Sequence, residues 1–128
     1  MSRAVLDASA LMAVLNREPG AEMLTSQIMS TAAISTVNLA EVHGNLVHRG
    51  FSPDDAWAAA NGAIHEAVAF TAEQAKTAGD LLIQTRTLGL SLGGRACLAL
   101  GIALRAPVYT ADRSWKNLRL GIRIYLIR

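Results

Sequence analysis

A chain of 128 residues is long enough to bury a sizeable core, and its single cysteine, Cys97, excludes an intrachain disulfide. Apolar residues make up 52% of the chain and aromatic residues only 5%, so the predicted core consists of Ala, Leu, Ile and Val side chains. Residues 1–75 carry three basic and eight acidic side chains, whereas residues 76–128 carry nine basic and two acidic ones. The basic half favours a polyanionic partner, most simply a nucleic acid, with an acidic protein or a solvated face as alternatives.

The most apolar window, Leu88–Leu104, contains Arg95 and four glycines, which is typical of a buried helix and not of a bilayer span. Asp7 interrupts the apolar amino-terminal run, so no secretory signal is predicted. Cys97 lies in an apolar stretch, where a buried thiol is expected. We therefore expect a cytoplasmic protein with no membrane segment.

The first predicted strand is Ala4–Leu6, a short apolar run without alternation, as expected for a strand buried on both faces of a parallel sheet. Asp7 follows it directly, and a helix is predicted to continue through Leu15. Asp7 is therefore placed at the carboxyl edge of a parallel sheet, where ligands bind in open α/β folds. The alternative is that Asp7 serves only as the helix N-cap.

The next elements are a second helix to about Met29, a strand over 32–35, and a helix from Val37 to about His48 that is capped by Thr36. Glu41 falls about one and a half turns into that helix, roughly 7 Å along its axis, and therefore near the same sheet edge. Its apolar neighbours in the sequence predict that Glu41 is buried.

Strands and helices continue to alternate to the end of the chain, with capping signals at Ser52, Thr71 and Ser91. The remaining predicted elements are helices over 53–65, 72–88 and 92–105 and strands over 67–70, 107–110 and 122–127. Residues 1–128 are thus predicted to form one α/β domain with a mostly parallel central sheet of about five strands, its last strand at an edge.

Three carboxylates occupy equivalent places in this arrangement, because Asp7, Glu41 and Asp112 each lie at or near the carboxyl end of a strand. Clustered carboxylates raise one another's pKa values, and divalent cations relieve that cost. Oxygen ligands without a nearby His or Cys set favour Mg²⁺ or Mn²⁺. Ser9 and Thr110 are candidates for orienting the carboxylates or a bound water.

The segments V-L-D-A-S-A-L, S-T-V-N-L-A-E-V and T-A-D-R-S-W resemble the signature motifs of PIN-domain ribonucleases, specifically the VapC-type toxins of toxin–antitoxin pairs. The resemblance implies a PIN-like three-layer α/β/α fold, Mg²⁺- or Mn²⁺-dependent cleavage of RNA, and a VapB-type antitoxin that blocks the site. It implies catalytic and metal-binding roles for Asp7, Glu41 and Asp112, with Ser9 and Thr110 as polar neighbours.

Gly94 departs from the resemblance, because the family motif carries Asp at this metal-ligand position. Gly94 is also the predicted N3 residue of its helix, where an acid would interact well with the cap and the helix dipole. We expect weak metal binding and low or absent cleavage. The alternative for Gly94 is a glycine that permits close packing.

Two other functions stay open from the sequence. A non-catalytic module would bind the antitoxin or RNA without cleavage. A phosphoryl-transfer enzyme would use Asp7 as nucleophile, although Ser9 stands where such enzymes commonly carry a second Asp.

Several further residues are predicted, from their positions in the sequence, to contact RNA or to pack in the core. Arg95, Arg113 and Lys116 are predicted to contact RNA phosphates. Trp115 is predicted either to pack in the core or to stack on a base. An apolar helical surface suggests a homodimer.

Overall fold

The computed structural model describes residues 3–128 and contains a central sheet of five strands. The strand order is β3-β2-β1-β4-β5, and every neighbouring pair is parallel. The strands are β1 (Ala4–Leu6), β2 (Ala32–Ser35), β3 (Glu66–Val68), β4 (Val108–Thr110) and β5 (Ile124–Leu126). The predicted α/β fold with about five mostly parallel strands is confirmed, and the described sheet is parallel throughout.

Helices cover both faces of the sheet. The helices are α1 (Ala8–Asn16), α2 (Ser26–Met29), α3 (Thr36–His48), α4 (Pro53–Gly62), α5 (Ala72–Asp80), α6 (Leu82–Thr85) and α7 (Leu92–Leu104). Three short 3₁₀ helices span Ala21–Met23, Arg86–Leu88 and Arg113–Asn117. Helices α1 to α4 share one hydrophobic core with the sheet, and α7 and the Arg113–Asn117 helix share the other, which confirms the three-layer α/β/α arrangement.

Strand β1 shows why this sequence forms a central strand. Its three side chains are buried, and they alternate between the two cores: Leu6 packs with the α1–α4 layer and Val5 with the α7 layer. The unalternating apolar run therefore predicted the two-sided burial correctly. Helix α7 approaches β4 closely at Gly101, where a Cβ atom would overlap the Val108 side chain.

The predicted caps Ser52, Thr71 and Ser91 are confirmed, since each hydroxyl accepts a hydrogen bond from the backbone N–H three residues later. The cap of α3 was predicted wrongly. The Ser35 hydroxyl accepts from the Val37 N–H, and Thr36 is the first helical residue; its hydroxyl instead accepts from the Phe70 N–H at 3.1 Å.

Two element boundaries in the middle of the chain differ from the prediction. Helix α4 ends at Gly62 and not at His65, because the His65 N–H donates to the Ala32 carbonyl and starts the pairing with β2. As a result β3 covers Glu66–Val68 and not 67–70. The last strand is likewise shorter than predicted, covering only the centre of the 122–127 segment.

Two predicted helices are interrupted. The segment over 72–88 divides into α5, α6 and a 3₁₀ turn, and the break after α5 follows Gly79 and Asp80, which are weak helix formers. The Thr85 hydroxyl donates to the Leu81 carbonyl at 2.8 Å and stabilises the second piece. The helix that was predicted to reach Met29 similarly divides into the Ala21–Met23 turn and α2.

Within residues 3–128, no helix combines the length and the apolar character that a membrane crossing requires.

Candidate active site

A cleft of about 260 Å³ opens at the carboxyl ends of β1 and β4, beside the first turns of α3 and α7. Strands β2 and β3 lie on one side of β1, and strands β4 and β5 lie on its other side. The cleft is therefore at the switch point of the strand order, where α/β sheets bind ligands. Its lining includes every acid that the sequence predicted for the site and the glycine at position 94. The lining residues used below are Asp7, Ser9, Asn38, Glu41, Gly94, Asp112 and Trp115.

Asp7 stands at the base of the cleft and is only 6% exposed. Its Oδ1 accepts hydrogen bonds from the Ser9 hydroxyl at 2.7 Å and from the Ala10 N–H at 2.8 Å, and its Oδ2 accepts from the Thr110 hydroxyl at 2.6 Å. The bond from Ala10 makes Asp7 the N-cap of α1. The two interpretations of Asp7, as helix cap and as cleft carboxylate, are therefore compatible.

Burial raises the pKa of the Asp7 carboxyl above its ordinary value, because the charged form loses its hydration. The hydrogen bonds from Thr110, Ala10 and Ser9 oppose this change, and the nearby charge of Asp112 adds to it. Asp7 is thus a carboxylate whose ionisation is penalised by its surroundings. A positive charge in the cleft would relieve that penalty.

Ser9 and Thr110 join the ends of β1 and β4. The Ser9 hydroxyl donates to Asp7 and accepts from the Ala111 N–H at 2.9 Å. The Thr110 hydroxyl donates to Asp7 and accepts from the Asp112 N–H at 3.0 Å. These bonds hold Asp7 in one orientation and tie the backbone of Asp112 to it.

Asp112 lies at the mouth of the cleft and is exposed. Its Oδ1 accepts from both the N–H and the hydroxyl of Ser114, at 2.9 and 2.7 Å, and so caps the 3₁₀ helix Arg113–Asn117. Its second carboxylate oxygen makes no hydrogen bond within residues 3–128 and is available to a ligand.

Glu41 differs from the prediction, since its side chain is exposed to the cleft and not buried. The buried face of α3 presents Leu39 and Val42, and Glu41 lies between them on the side that meets α7. Its carboxylate lies directly against Gly93, where a Cβ atom would overlap it. Gly93 therefore leaves the space that the Glu41 carboxylate occupies.

Asn38 is a cleft residue that the sequence analysis did not identify. It is 1% exposed, and its amide nitrogen donates to Glu41 Oε1 at 3.1 Å and to the Gly93 carbonyl at 2.9 Å. Both partners are acceptors, which sets the orientation of the amide and leaves Oδ1 buried without a hydrogen-bond partner. The sequence spacing could have identified Asn38, because it precedes Glu41 by three residues and therefore shares its helix face.

Trp115 packs over Gly94. The indole is 2% exposed, which confirms the core-packing prediction for Trp115, and a Cβ atom on Gly94 would stand 3.2 Å from its Cζ2. Leu90 would also contact that atom, at 3.4 Å. These contacts support the close-packing explanation of Gly94, because an Asp at this position would need the indole to shift.

The donor types in the cleft suit a hard divalent cation, but they do not form a closed set. Among the described residues 3–128, no three His, Cys, Asp or Glu side chains come close enough together to hold a metal ion. Glu41 and Asp112 each retain a carboxylate oxygen for a ligand, and the unpartnered Asn38 oxygen is a further donor. The oxygen ligands of the cleft are of the type that Mg²⁺ and Mn²⁺ prefer, but the cleft offers such an ion few of them.

The predicted RNA-binding residues divide into two groups. The Arg95 guanidinium is half-buried and donates to the Ala78 carbonyl at 3.0 Å, which joins α7 to α5, and its contact with RNA stays a prediction. Arg113 and Lys116 are exposed on the 3₁₀ helix Arg113–Asn117, which Asp112 caps beside the cleft, and their contact with RNA stays a prediction.

Cys97 is fully buried in the α7 core, as predicted. Burial raises the pKa of its thiol well above the ordinary value, and the charges of Asp7 and Glu41 raise it further. A protonated buried thiol is a poor nucleophile, so Cys97 has a structural role.

Several solved structures with a similar fold belong to toxin–antitoxin systems. A chain of a DNA-bound VapBC from Salmonella typhimurium is 16% identical, with a TM-score of 0.77 and 100% of both chains covered. A chain of a toxin–antitoxin complex from Klebsiella pneumoniae is 15% identical, with a TM-score of 0.77 and 98% of each chain covered. VapC20 from Mycobacterium tuberculosis, a sarcin-ricin loop cleaving toxin, is 18% identical, with a TM-score of 0.74 and coverage of 94% of this chain and 98% of that one.

At these identities the likeness establishes the fold. No curated protein sequence matches the chain. The family model of the PIN domain matches residues 4–120, a span that includes the complete cleft and the strands β1 to β4. The chain belongs to the PIN domain family.

Proposed function

We propose that this chain is a VapC-type toxin whose cleft performs Mg²⁺- or Mn²⁺-dependent endoribonuclease chemistry weakly. The observation that carries the proposal is that Asp7, Glu41 and Asp112 line one cleft at the switch point of a PIN-family sheet. Several solved structures of similar fold belong to toxin–antitoxin systems, and one of them is described as a sarcin-ricin loop cleaving toxin.

Each cleft residue has a specific part in this proposal. When bound, the cation would supply an activated water and charge stabilisation at a phosphodiester. Asp7, Glu41 and Asp112 face the cleft that would receive the cation, and water would bridge it to the carboxylates that lie too far apart to bind it together. Ser9 and Thr110 keep the Asp7 carboxylate in one orientation. The raised pKa of Asp7 means that cation binding also favours its ionised form.

The activity is proposed to be weak because position 94 contributes no ligand. The described residues contain no group of three acids or imidazoles that closes around an ion, and the Trp115 indole occupies the side of Gly94. A fourth carboxylate would lower the cost of placing a doubly charged ion there. Without it, water must complete more of the coordination, and affinity falls.

The same observations favour a second candidate, a non-catalytic PIN module that retains antitoxin or RNA binding without cleavage. Both candidates include a VapB-type antitoxin as partner, and both include a homodimer as the assembly. Size-exclusion chromatography with light scattering, alone and with the antitoxin, measures these assemblies directly.

Cleavage of a labelled RNA separates the two candidates. The assay compares Mg²⁺, Mn²⁺ and EDTA for this chain, for Asp7→Asn and for the matched surface variant Asp54→Asn on α4. The nuclease proposal expects slow, metal-dependent cleavage that Asp7→Asn abolishes and Asp54→Asn preserves. Absence of cleavage, or cleavage that Asp7→Asn leaves unchanged, would reject it.

A further inference from the structure

A second recognition surface surrounds β5, on the part of the sheet beyond the acidic cleft. It consists of two adjoining cavities of about 690 and 400 Å³, which share Arg123 and Tyr125 in their walls. Together we refer to them as the β5 surface. Its polar and aromatic members are Arg105, Tyr109, Lys116, Arg119, Arg123 and Tyr125.

Positive charge dominates the β5 surface. None of the described residues that line its two cavities is acidic. The ion pairs found within residues 3–128 use other basic side chains, namely Arg3, Lys76 and Arg128. The charge of the β5 surface is therefore balanced by solvent ions, which a polyanion can displace with a gain in entropy.

Two neighbouring aromatic rings lie within this positive surface, tilted with respect to each other. Tyr109 of β4 and Tyr125 of β5 are paired in the sheet register, with ring centroids 5.1 Å apart and an interplanar angle of 31°. Tyr125 is 39% exposed, and the Arg123 guanidinium donates to its hydroxyl at 3.3 Å. An exposed ring with a guanidinium at its edge offers a nucleobase a stacking face and a phosphate a partner.

The β5 surface is connected to the proposed active site by the chain itself. Asp112 and Trp115 line the cleft, and Lys116, on the same 3₁₀ helix, lines the smaller cavity. Positive charge thus extends from the mouth of the cleft to the tyrosine pair. Arg123 precedes β5 and therefore lies at the opposite sheet edge from the cleft, so a strand of RNA whose phosphodiester enters the cleft would cross the length of β5 to reach it.

We propose that the β5 surface binds single-stranded RNA, with a base stacked on Tyr125 and phosphates on Arg105 and Arg123. This inference rests on the proposed function and extends it, since it assigns the substrate a binding site outside the cleft. The tyrosine pair favours RNA over an acidic peptide, because a peptide would need the arginines but not an open aromatic face.

Binding is measured by fluorescence anisotropy with labelled oligouridylate in EDTA, so that cleavage does not interfere. Tyr125→Ala is expected to weaken binding about five-fold or more, and Tyr125→Phe, which keeps the ring, is expected to bind like the unmodified chain. Arg123→Gln is expected to reduce the slope of log K against log salt by about 0.7. Matched controls are Phe51→Leu and Arg86→Gln, exposed side chains far from β5 in the sequence.

Each outcome decides one claim. Equal weakening by Arg86→Gln or Phe51→Leu, or unchanged binding in Tyr125→Ala and Arg123→Gln, would reject the β5 surface while leaving cleavage by the cleft untouched. If Arg123→Gln loses binding to polyglutamate but keeps binding to the RNA, the β5 surface binds an acidic protein and the RNA proposal is rejected. A halved mass of Tyr125→Ala in light scattering would make it a subunit interface. RNA binding that needs Tyr125 without any cleavage would support the surface and reject the nuclease.

Discussion

Replacing Gly94 with Asp tests both the chemistry and the packing of the cleft. Position 94 is N3 of α7, where replacement of glycine and a favourable interaction with the helix dipole together stabilise by about 1 kcal/mol. Against this, the new Cβ would stand 3.2 Å from the Trp115 ring, and overpacking typically costs about 1–3 kcal/mol. Without metal, we expect Gly94→Asp to lower the free energy of unfolding by about 1 kcal/mol.

Metal should reverse that loss, because an added carboxylate strengthens cation binding by the native state alone. A cation at 100 times its dissociation constant stabilises the native state by about 2.7 kcal/mol. Urea unfolding with EDTA, Mg²⁺ and Mn²⁺ measures this effect, and RNA cleavage in the same buffers measures the gain in activity. We expect both the stability and the cleavage rate of Gly94→Asp to rise with metal more than those of the unmodified chain.

Two variants separate the terms. Gly94→Ala adds the Cβ without a polar group and should show the packing cost offset by the roughly 1 kcal/mol gained when alanine replaces glycine in a helix. Gly94→Asn adds a side chain of the same shape as Asp without its charge. A folded Gly94→Asp that gains no stability from metal and cleaves no better than the unmodified chain would refute the account of position 94. A Gly94→Ala variant that is stabilised by the full gain of about 1 kcal/mol expected for replacing a helical glycine would refute the packing cost.

Three further predictions concern other buried groups. Asp7→Asn should raise the free energy of unfolding at neutral pH. Burial raises the Asp7 pKa in the folded state, so the unmodified chain loses stability as pH rises through that pKa. Urea titrations at a series of pH values should show that the free energy of unfolding depends less steeply on pH in the variant. Asn38→Ala should lower the free energy of unfolding by about 1–3 kcal/mol, because Glu41 loses a buried hydrogen-bond donor. The control Asn45→Ala, on the exposed side of α3, should change it by less than about 0.5 kcal/mol in the same titrations. The Cys97 thiol should resist a disulfide reagent in the native protein and react at the rate of global unfolding; rapid labelling without denaturant would contradict its burial.

Local chemistry explains what could be predicted about the cleft. Asp7, Glu41 and Asp112 were placed at one sheet edge from strand-then-helix patterns alone, and the cleft contains all three. Caps such as Ser91 were predicted because the hydroxyl and the N–H that it accepts from lie three residues apart. Such interactions need no knowledge of the rest of the chain.

The errors arose where a side chain meets a distant segment. Glu41 was predicted to be buried from its sequence neighbours, yet it points to α7, where Gly93 leaves room for its carboxylate. The Arg95 guanidinium binds a carbonyl of α5, a contact that its position in the sequence did not reveal. A residue's own helix sets its direction, but only the facing helix decides whether that direction is solvent or a partner.

The sequence by itself determined the order of strands and helices, the parallel sheet and the acids at its carboxyl edge, because hydrophobic periodicity and capping act over a few residues. Only the tertiary structure decided that Trp115 packs on Gly94, that Asn38 holds Glu41 and keeps a free oxygen, and that Tyr109 and Tyr125 lie side by side in a positive surface. Those features depend on the packing of segments far apart in the chain, which local propensities do not specify.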